Sequence, residues 1–195
     1  MVRILGLSGS LRSGSYNSAL LRAAADVIGS GVIGSEATLE IGSIRGIPLY
    51  DGDVETADGI PAVVQALKAR VQACDGLLLV TPEYNNGIPG VFKNAIDWLS
   101  RPAAEIPQVF GGRAVALVGA SPGGFGTILS QNAWLPVLRT LGTRPWFGAK
   151  LMVSRANKVF DAGGTLVDDA VRTQLRDYLA GFVRFVAEAR DARAG

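Results

Sequence analysis

Short apolar runs alternate with segments of helical periodicity along the whole chain, and this alternation limits the fold more than any other feature. Val2–Leu7, Ala37–Ile41, Gly76–Val80, Arg113–Gly119 and Pro145–Val153 have the length and content of strands. Val2–Leu7 (apart from Arg3) and Gly76–Val80 are continuously apolar, as parallel strands covered on both faces are. Between them, Leu20, Leu21, Ala24, Val27 and Ile28 recur at helical spacing up to Gly29, and Leu67, Val71 and Cys74 mark one face of a second helix. Val91, Ala95 and Leu99 mark a third helix. Ile128–Leu141 is a fourth, in which Pro136 predicts a kink or a break. From Asp168 a long last helix turns Val171, Leu175, Phe182 and Val186 toward the core. Gly46–Gly59, with Pro48 and several acidic residues, reads as a surface loop. Five strand–helix units predict an α/β, three-layer, doubly wound fold on a five-stranded parallel sheet.

Three connections stand out. They are Ser8–Asn17 after the first strand, Thr81–Pro89 after the third and Ser121–Gly126 after the fourth. In strand order 2-1-3-4-5 those strands are neighbours, so the loops meet at the switch point, where ligands bind beyond the carboxyl ends.

Ser8-Gly-Ser-Leu-Arg-Ser-Gly-Ser-Tyr-Asn17 combines hydroxyls, glycines and one arginine ahead of a helix N-terminus, which is the chemistry of an anion pocket. It fails the dinucleotide fingerprint, because Gly6 and Gly9 are three apart. It fails the Walker pattern, because Ser15 and Tyr16 follow Gly14 where lysine is required. A single phosphomonoester suits it better. The plainer alternative is a Ser/Gly turn with Ser15 or Asn17 as a helix cap. In the second loop, Tyr84 offers a flat face and Asn85 and Asn86 offer donors and acceptors for a heterocycle's edge, while Pro82 and Pro89 stiffen the loop. A phosphate beside a planar heteroaromatic describes FMN. The plainer alternative is a strand-to-helix connection whose tyrosine packs.

The 195 residues suit one domain, 1–195, and 48% hydrophobic against 18% charged residues predicts a packed core. A net charge of +2 argues against a nucleic-acid surface. The uncharged stretch Ala114–Leu138 could cross a bilayer, but Ser121–Gly124, Gln131, Asn132 and Pro136 interrupt it. With no secretory leader visible, the expectation is a cytoplasmic protein with no membrane partner. The chain has one cysteine and no histidine, which excludes an internal disulfide, a Cys/His metal cluster and a Ser-His-Asp triad. Cys74 reads as a buried structural thiol, and Arg113 as a strand flank. The absence of histidine points to chemistry carried by a cofactor.

Gly9-Ser10-Leu11-Arg12 with Ser15 and Asn17, then Pro82-Glu83-Tyr84-Asn85, Pro89-Gly90 and Lys93-Asn94-Ala95-Ile96-Asp97-Trp98, resemble the NADPH-dependent FMN reductase family. That family has a flavodoxin-like fold. The resemblance implies that Ser10, Arg12, Ser15, Tyr16 and Asn17 surround the FMN phosphate. It implies that Pro82, Glu83, Tyr84, Asn85, Asn86 and Gly87 lie along the isoalloxazine and ribityl, and that Ser121, Gly123 and Gly124 close the ring's other edge. It further implies a homodimer or homotetramer, with the Lys93–Trp98 helix contributing to a dimer interface beside the flavin and Trp98 in the core or the interface. The implied activity is ping-pong hydride transfer from NADPH or NADH through FMN to a small-molecule electron acceptor: a quinone, free flavin, chromate or an azo compound. No catalytic side chain is assigned. The rival is a flavodoxin-type electron carrier, although such carriers are acidic and this chain is slightly basic.

Overall fold

The computed structural model describes residues 1–31 and 37–194. Its strands are β1 (Val2–Ser8), β2 (Ala37–Gly42), β3 (Gly76–Val80), β4 (Ala114–Ala120), β5 (Arg144–Pro145) and β6 (Met152–Val153). The helices are α1 (Tyr16–Gly29), α2 (Gly52–Asp58), α3 (Ala62–Ala73), α4 (Gly90–Leu99), α5 (Ile106–Val109), α6 (Ile128–Thr140), α7 (Ala156–Val159) and α8 (Asp169–Ala194). These strands pair in parallel, in the order β2-β1-β3-β4-β5, with β6 also on β4.

Side chains alternate across the sheet, and each face has its own core. Ile4, Leu78, Val80, Ala116 and Val118 pack with α1, α7 and α8. Leu5, Leu7, Leu77, Leu79 and Val115 pack with α3, α4 and α6. Two helical layers around one sheet give the expected three-layer, doubly wound α/β architecture.

The structure corrects several expectations. The fifth strand is two short pieces at opposite ends of β4, with Ala114 and Val115 on β5 and Gly119 and Ala120 on β6. Between them the Trp146 N–H still donates to Val115 O at 2.8 Å, and its indole packs edge-on against Tyr178, 4.7 Å between ring centres. Part of Gly46–Gly59 is helical, because Asp51 accepts from the Asp53 N–H and Asp53 and Glu55 favour the N-terminal dipole. With no buried face, α2 has no periodicity to read. α4 buries Phe92, Ala95, Ile96, Trp98 and Leu99, while Val91 stays exposed. Pro136 does not break α6, which runs on from Ile128 to Thr140 with Pro136 on its exposed side.

Arg113 does not merely flank a strand. It is fully buried, and its guanidinium donates to the carbonyls of Val109 (2.7 Å) and Cys74, at the C-terminal ends of α5 and α3. A cation there complements two helix dipoles. Cys74 is buried as expected, and burial pushes its thiol pKa up, so the thiolate needed for reactivity is disfavoured. Trp98 is core, with its indole N–H donating to the Pro48 carbonyl at 2.9 Å.

Candidate functional site

β1, β3 and β4 run in register at their carboxyl ends, with Ser8 beside Val80 and Val80 beside Val118. The three loops therefore leave the sheet at one edge. The first starts at Gly9, whose N–H donates to Val80 O at 2.9 Å. A Cβ at Gly9 would stand 2.8 Å from Phe92 Cγ and 2.9 Å from Pro82 Cδ, so the missing side chain lets the first loop lie against the second. Ser15 caps α1, accepting from the N–H groups of Asn17 (3.2 Å) and Ser18 (3.3 Å). The Asn17 carboxamide, only 4% exposed, donates to Ala120 O at 2.8 Å and accepts from Ala120 N at 2.9 Å. That two-bond bridge ties the start of α1 to the end of β4.

The second loop rests on a buried polar layer. Thr81 Oγ1 receives the Trp134 indole N–H at 3.0 Å and lies 2.8 Å from Ser130 Oγ. Glu83 Oε2 accepts from the Leu129 and Ser130 amides at 2.8 and 3.0 Å, so a carboxylate from this loop caps α6. Tyr84 and Gly87 exchange backbone bonds of 3.2 and 3.1 Å around Asn85 (φ 50°) and Asn86 (φ 63°). Two successive left-handed residues make a type I′ turn, a conformation asparagine tolerates. Tyr84 stands at the base of this turn, 44% exposed. In the third loop, Ser121 N donates to Val153 O, Ala156 N donates to Ser121 O, and Gly123 N donates to Ser121 Oγ at 3.1 Å. The loop is thus stitched to β6 and α7.

Where the loops meet there is a concavity of about 70 Å³. Of the residues expected at a site, it gathers Ser10, Arg12, Ser15, Tyr16, Asn17, Pro82, Glu83, Tyr84 and Ser121. Asn85, Asn86, Gly87, Gly123 and Gly124 do not line it. The first three shape the Tyr84 turn, and Gly123 and Gly124 are exposed beyond Ser121. Sequence reasoning missed Ala120 and Pro122, which complete the wall, and Thr81, which supports it from beneath. Gly9 was quoted for its motif, yet its packing against Phe92 has no sequence signal.

This volume suits the head of a ligand, since pockets for whole cofactors run to about 300–1,000 Å³. Its donors are those of a phosphate site: the exposed Arg12 guanidinium, the Ser10 hydroxyl and the capped N-terminus of α1. A flat ligand body extending outward would run along Tyr84. A larger cavity of about 510 Å³ lies between α1 and the turn at Gly163–Leu166, away from these loops.

The sequence profile of NADPH-dependent FMN reductases matches residues 2–158, a span that holds all three loops. The chain belongs to the NADPH-dependent FMN reductase family. Among its relatives, an NAD(P)H-dependent FMN reductase of Pseudomonas aeruginosa is 42% identical over 189 residues, covering 97% of each chain. A 2-hydroxy-1,4-benzoquinone reductase of a Burkholderia species is 33% identical, over 97% of this chain and 98% of its own. The flavoenzyme NAD(P)H:(acceptor) oxidoreductase FerB of Paracoccus denitrificans superposes with a TM-score of 0.83 at 29% identity, covering 97% of this chain and 99% of that one. As a family member with this flavodoxin-like sheet, the protein is an FMN-dependent oxidoreductase that uses NAD(P)H.

Proposed function

We propose that this single-domain enzyme passes hydride from NAD(P)H through FMN to a small acceptor, with the FMN phosphate at the Ser10–Asn17 loop and the ring along Tyr84. The observation that carries this reading is the convergence of the three loops on one concavity with phosphate-binding chemistry. When bound, FMN would supply the two-electron chemistry, which the side chains gathered at the concavity do not provide. Arg12 supplies a planar fork for the phosphate, Ser10 a hydroxyl, and α1 its positive end. Asn17 and Glu83 act from behind, by holding the first loop to β4 and the second loop to α6. The Asn85–Asn86 turn sets the direction of Tyr84. No side chain is given a proton-transfer role.

A quinone is the acceptor favoured here, because a benzoquinone reductase and a quinone reductase of Escherichia coli are among the relatives. Free flavin, chromate and azo compounds belong to the same panel. We extend the proposal to a cytoplasmic homodimer or homotetramer. Its support is that Val91, Phe125 and Leu129 leave apolar side chains exposed around the loops, and that no described helix is long and apolar enough to cross a membrane. The test is NADPH oxidation by FMN-loaded protein with each acceptor in turn. Rapid oxidation with a benzoquinone is expected. Protein that holds FMN yet oxidises no NADPH with any acceptor would support the electron carrier instead.

A further inference from the structure

Behind the phosphate loop, on its β2 side, lies a second cleft of about 280 Å³. It shares Ser10, Leu11 and Arg12 with the loop and is closed by α1 and by Gly42–Arg45 after β2. Three arginines border it: Arg12, Arg22 and Arg45. No carboxylate lines it among the described residues. Three arginines, and among the described residues no lining carboxylate, give the cleft the charge that suits a dianion.

Arg45 and Arg22 are located by their neighbours. Arg45 donates one Nη2 hydrogen bond to Leu11 O at 2.6 Å, which fixes the guanidinium at the loop and leaves further N–H donors for a ligand. Arg22 borders both this cleft and the larger cavity, its Nη2 lying beside Gly164, where the missing side chain leaves room for it. Ser8 Oγ and Ser18 Oγ lie 3.1 Å apart in the lining. One hydroxyl donates to the other, so the pair retains one O–H to offer a ligand. The inner side of the Ser10–Arg12 segment faces the FMN concavity and its outer side faces this cleft, so one strip of backbone separates two sites of the same chemistry.

We infer that this cleft binds a second phosphate monoester, the 2′-phosphate of NADPH, and so sets the preference for NADPH over NADH. The inference rests on the FMN-dependent reading, since NAD(P)H must lie against a flavin held by the same loop. Free inorganic phosphate shares this chemistry and is the competing source.

The test uses FMN-loaded wild type, Arg22→Gln and Arg45→Gln. Binding of 2′,5′-ADP, 5′-ADP and inorganic phosphate is measured by calorimetry, and the kinetics with NADPH and NADH are compared. The 2′,5′-ADP should bind more tightly than 5′-ADP. Each variant should weaken 2′,5′-ADP and raise KM for NADPH by about tenfold, the scale of one charge-assisted hydrogen bond. In Arg22→Gln, which makes no bond to the FMN loop, the constants for NADH, kcat with NADPH and FMN affinity should stay the same. Equal losses for NADPH and NADH, or unchanged 2′,5′-ADP binding, overturn the inference. So does inorganic phosphate that depends on Arg22 and Arg45 but is not displaced by 2′,5′-ADP. Protein that takes up no FMN, yet still binds 2′,5′-ADP through Arg22 and Arg45, upholds the cleft and defeats the flavin reading instead.

Discussion

Replacing Asn17 by alanine removes both bonds to Ala120, the link that holds the phosphate loop to β4. Ala120 is 3% exposed, so its N–H and C=O lose their partner in a buried place. Each unsatisfied group costs about 1–3 kcal/mol. Alanine at a helical position returns roughly 0.5 kcal/mol of helix propensity. The net loss is therefore about 1.5–5.5 kcal/mol. For a domain of this size, with about 2–4 °C per kcal/mol, the midpoint should fall by roughly 3–22 °C. Urea denaturation of FMN-free protein measures the loss, and an unchanged m-value would show that the native state alone has changed. Asn17→Asp keeps the acceptor for Ala120 N–H but turns the other oxygen against Ala120 O, so it should not rescue stability. FMN affinity should fall in both variants, because the loop no longer shares a frame with Tyr84 and Ser121. A loss below about 0.5 kcal/mol in Asn17→Ala would refute the reasoning: the loops would then be held by something other than this bridge.

Gly9→Ala places a methyl group against the Phe92 ring and Pro82, and overpacking of this kind costs about 1–3 kcal/mol, readable by thermal unfolding together with weaker FMN binding. Asn86→Val forces a β-branched residue to φ 63° and should cost about 1–2 kcal/mol, whereas Asn86→Gly should be nearly neutral; the pair separates turn strain from loss of the carboxamide. The Arg101 hydrogen bond, reinforced by one from Tyr50, holds the Glu55 carboxyl below the usual carboxylate range against the opposing effect of burial. A carboxyl lowered on folding contributes stability above the ordinary carboxylate range and loses it as pH falls through its lowered folded value. Glu55→Gln should therefore flatten the acid limb of a thermal-shift profile, and an acid limb identical to wild type would remove Glu55 from the account.

How far the sequence could be read depended on the range of the interaction involved. β3 was legible to the residue because Gly76–Val80 is wholly apolar and bounded by Asp75 and Thr81-Pro82. The Ser15 cap was legible as an alternative because its partners are two and three residues away. The Asn17 bridge was not, because its partner lies 103 residues along the chain. Glu83 reads as a ligand residue, yet its carboxylate is engaged by amides 46 and 47 residues away. Arg113 looked like a charged strand flank because nothing local shows that two helices end beside it. The interruption of the fifth strand was not legible either: the ring contacts of Trp146 are with Tyr178 and Phe182 of α8, 32 and 36 residues along the chain. The convergence of the loops was legible, since it follows from strand order alone.

The central claim is that the Ser10–Asn17 loop holds the phosphate of FMN. Titrating FMN and riboflavin, which differ by that phosphate, into wild type and Arg12→Ala tests it most directly. Wild type should bind FMN about a hundredfold or more tightly than riboflavin. Arg12→Ala should lose about 1.5–3 kcal/mol of FMN affinity and leave riboflavin unchanged. Equal affinity of wild type for the two flavins, or an Arg12→Ala variant that binds FMN as wild type does, would contradict the account.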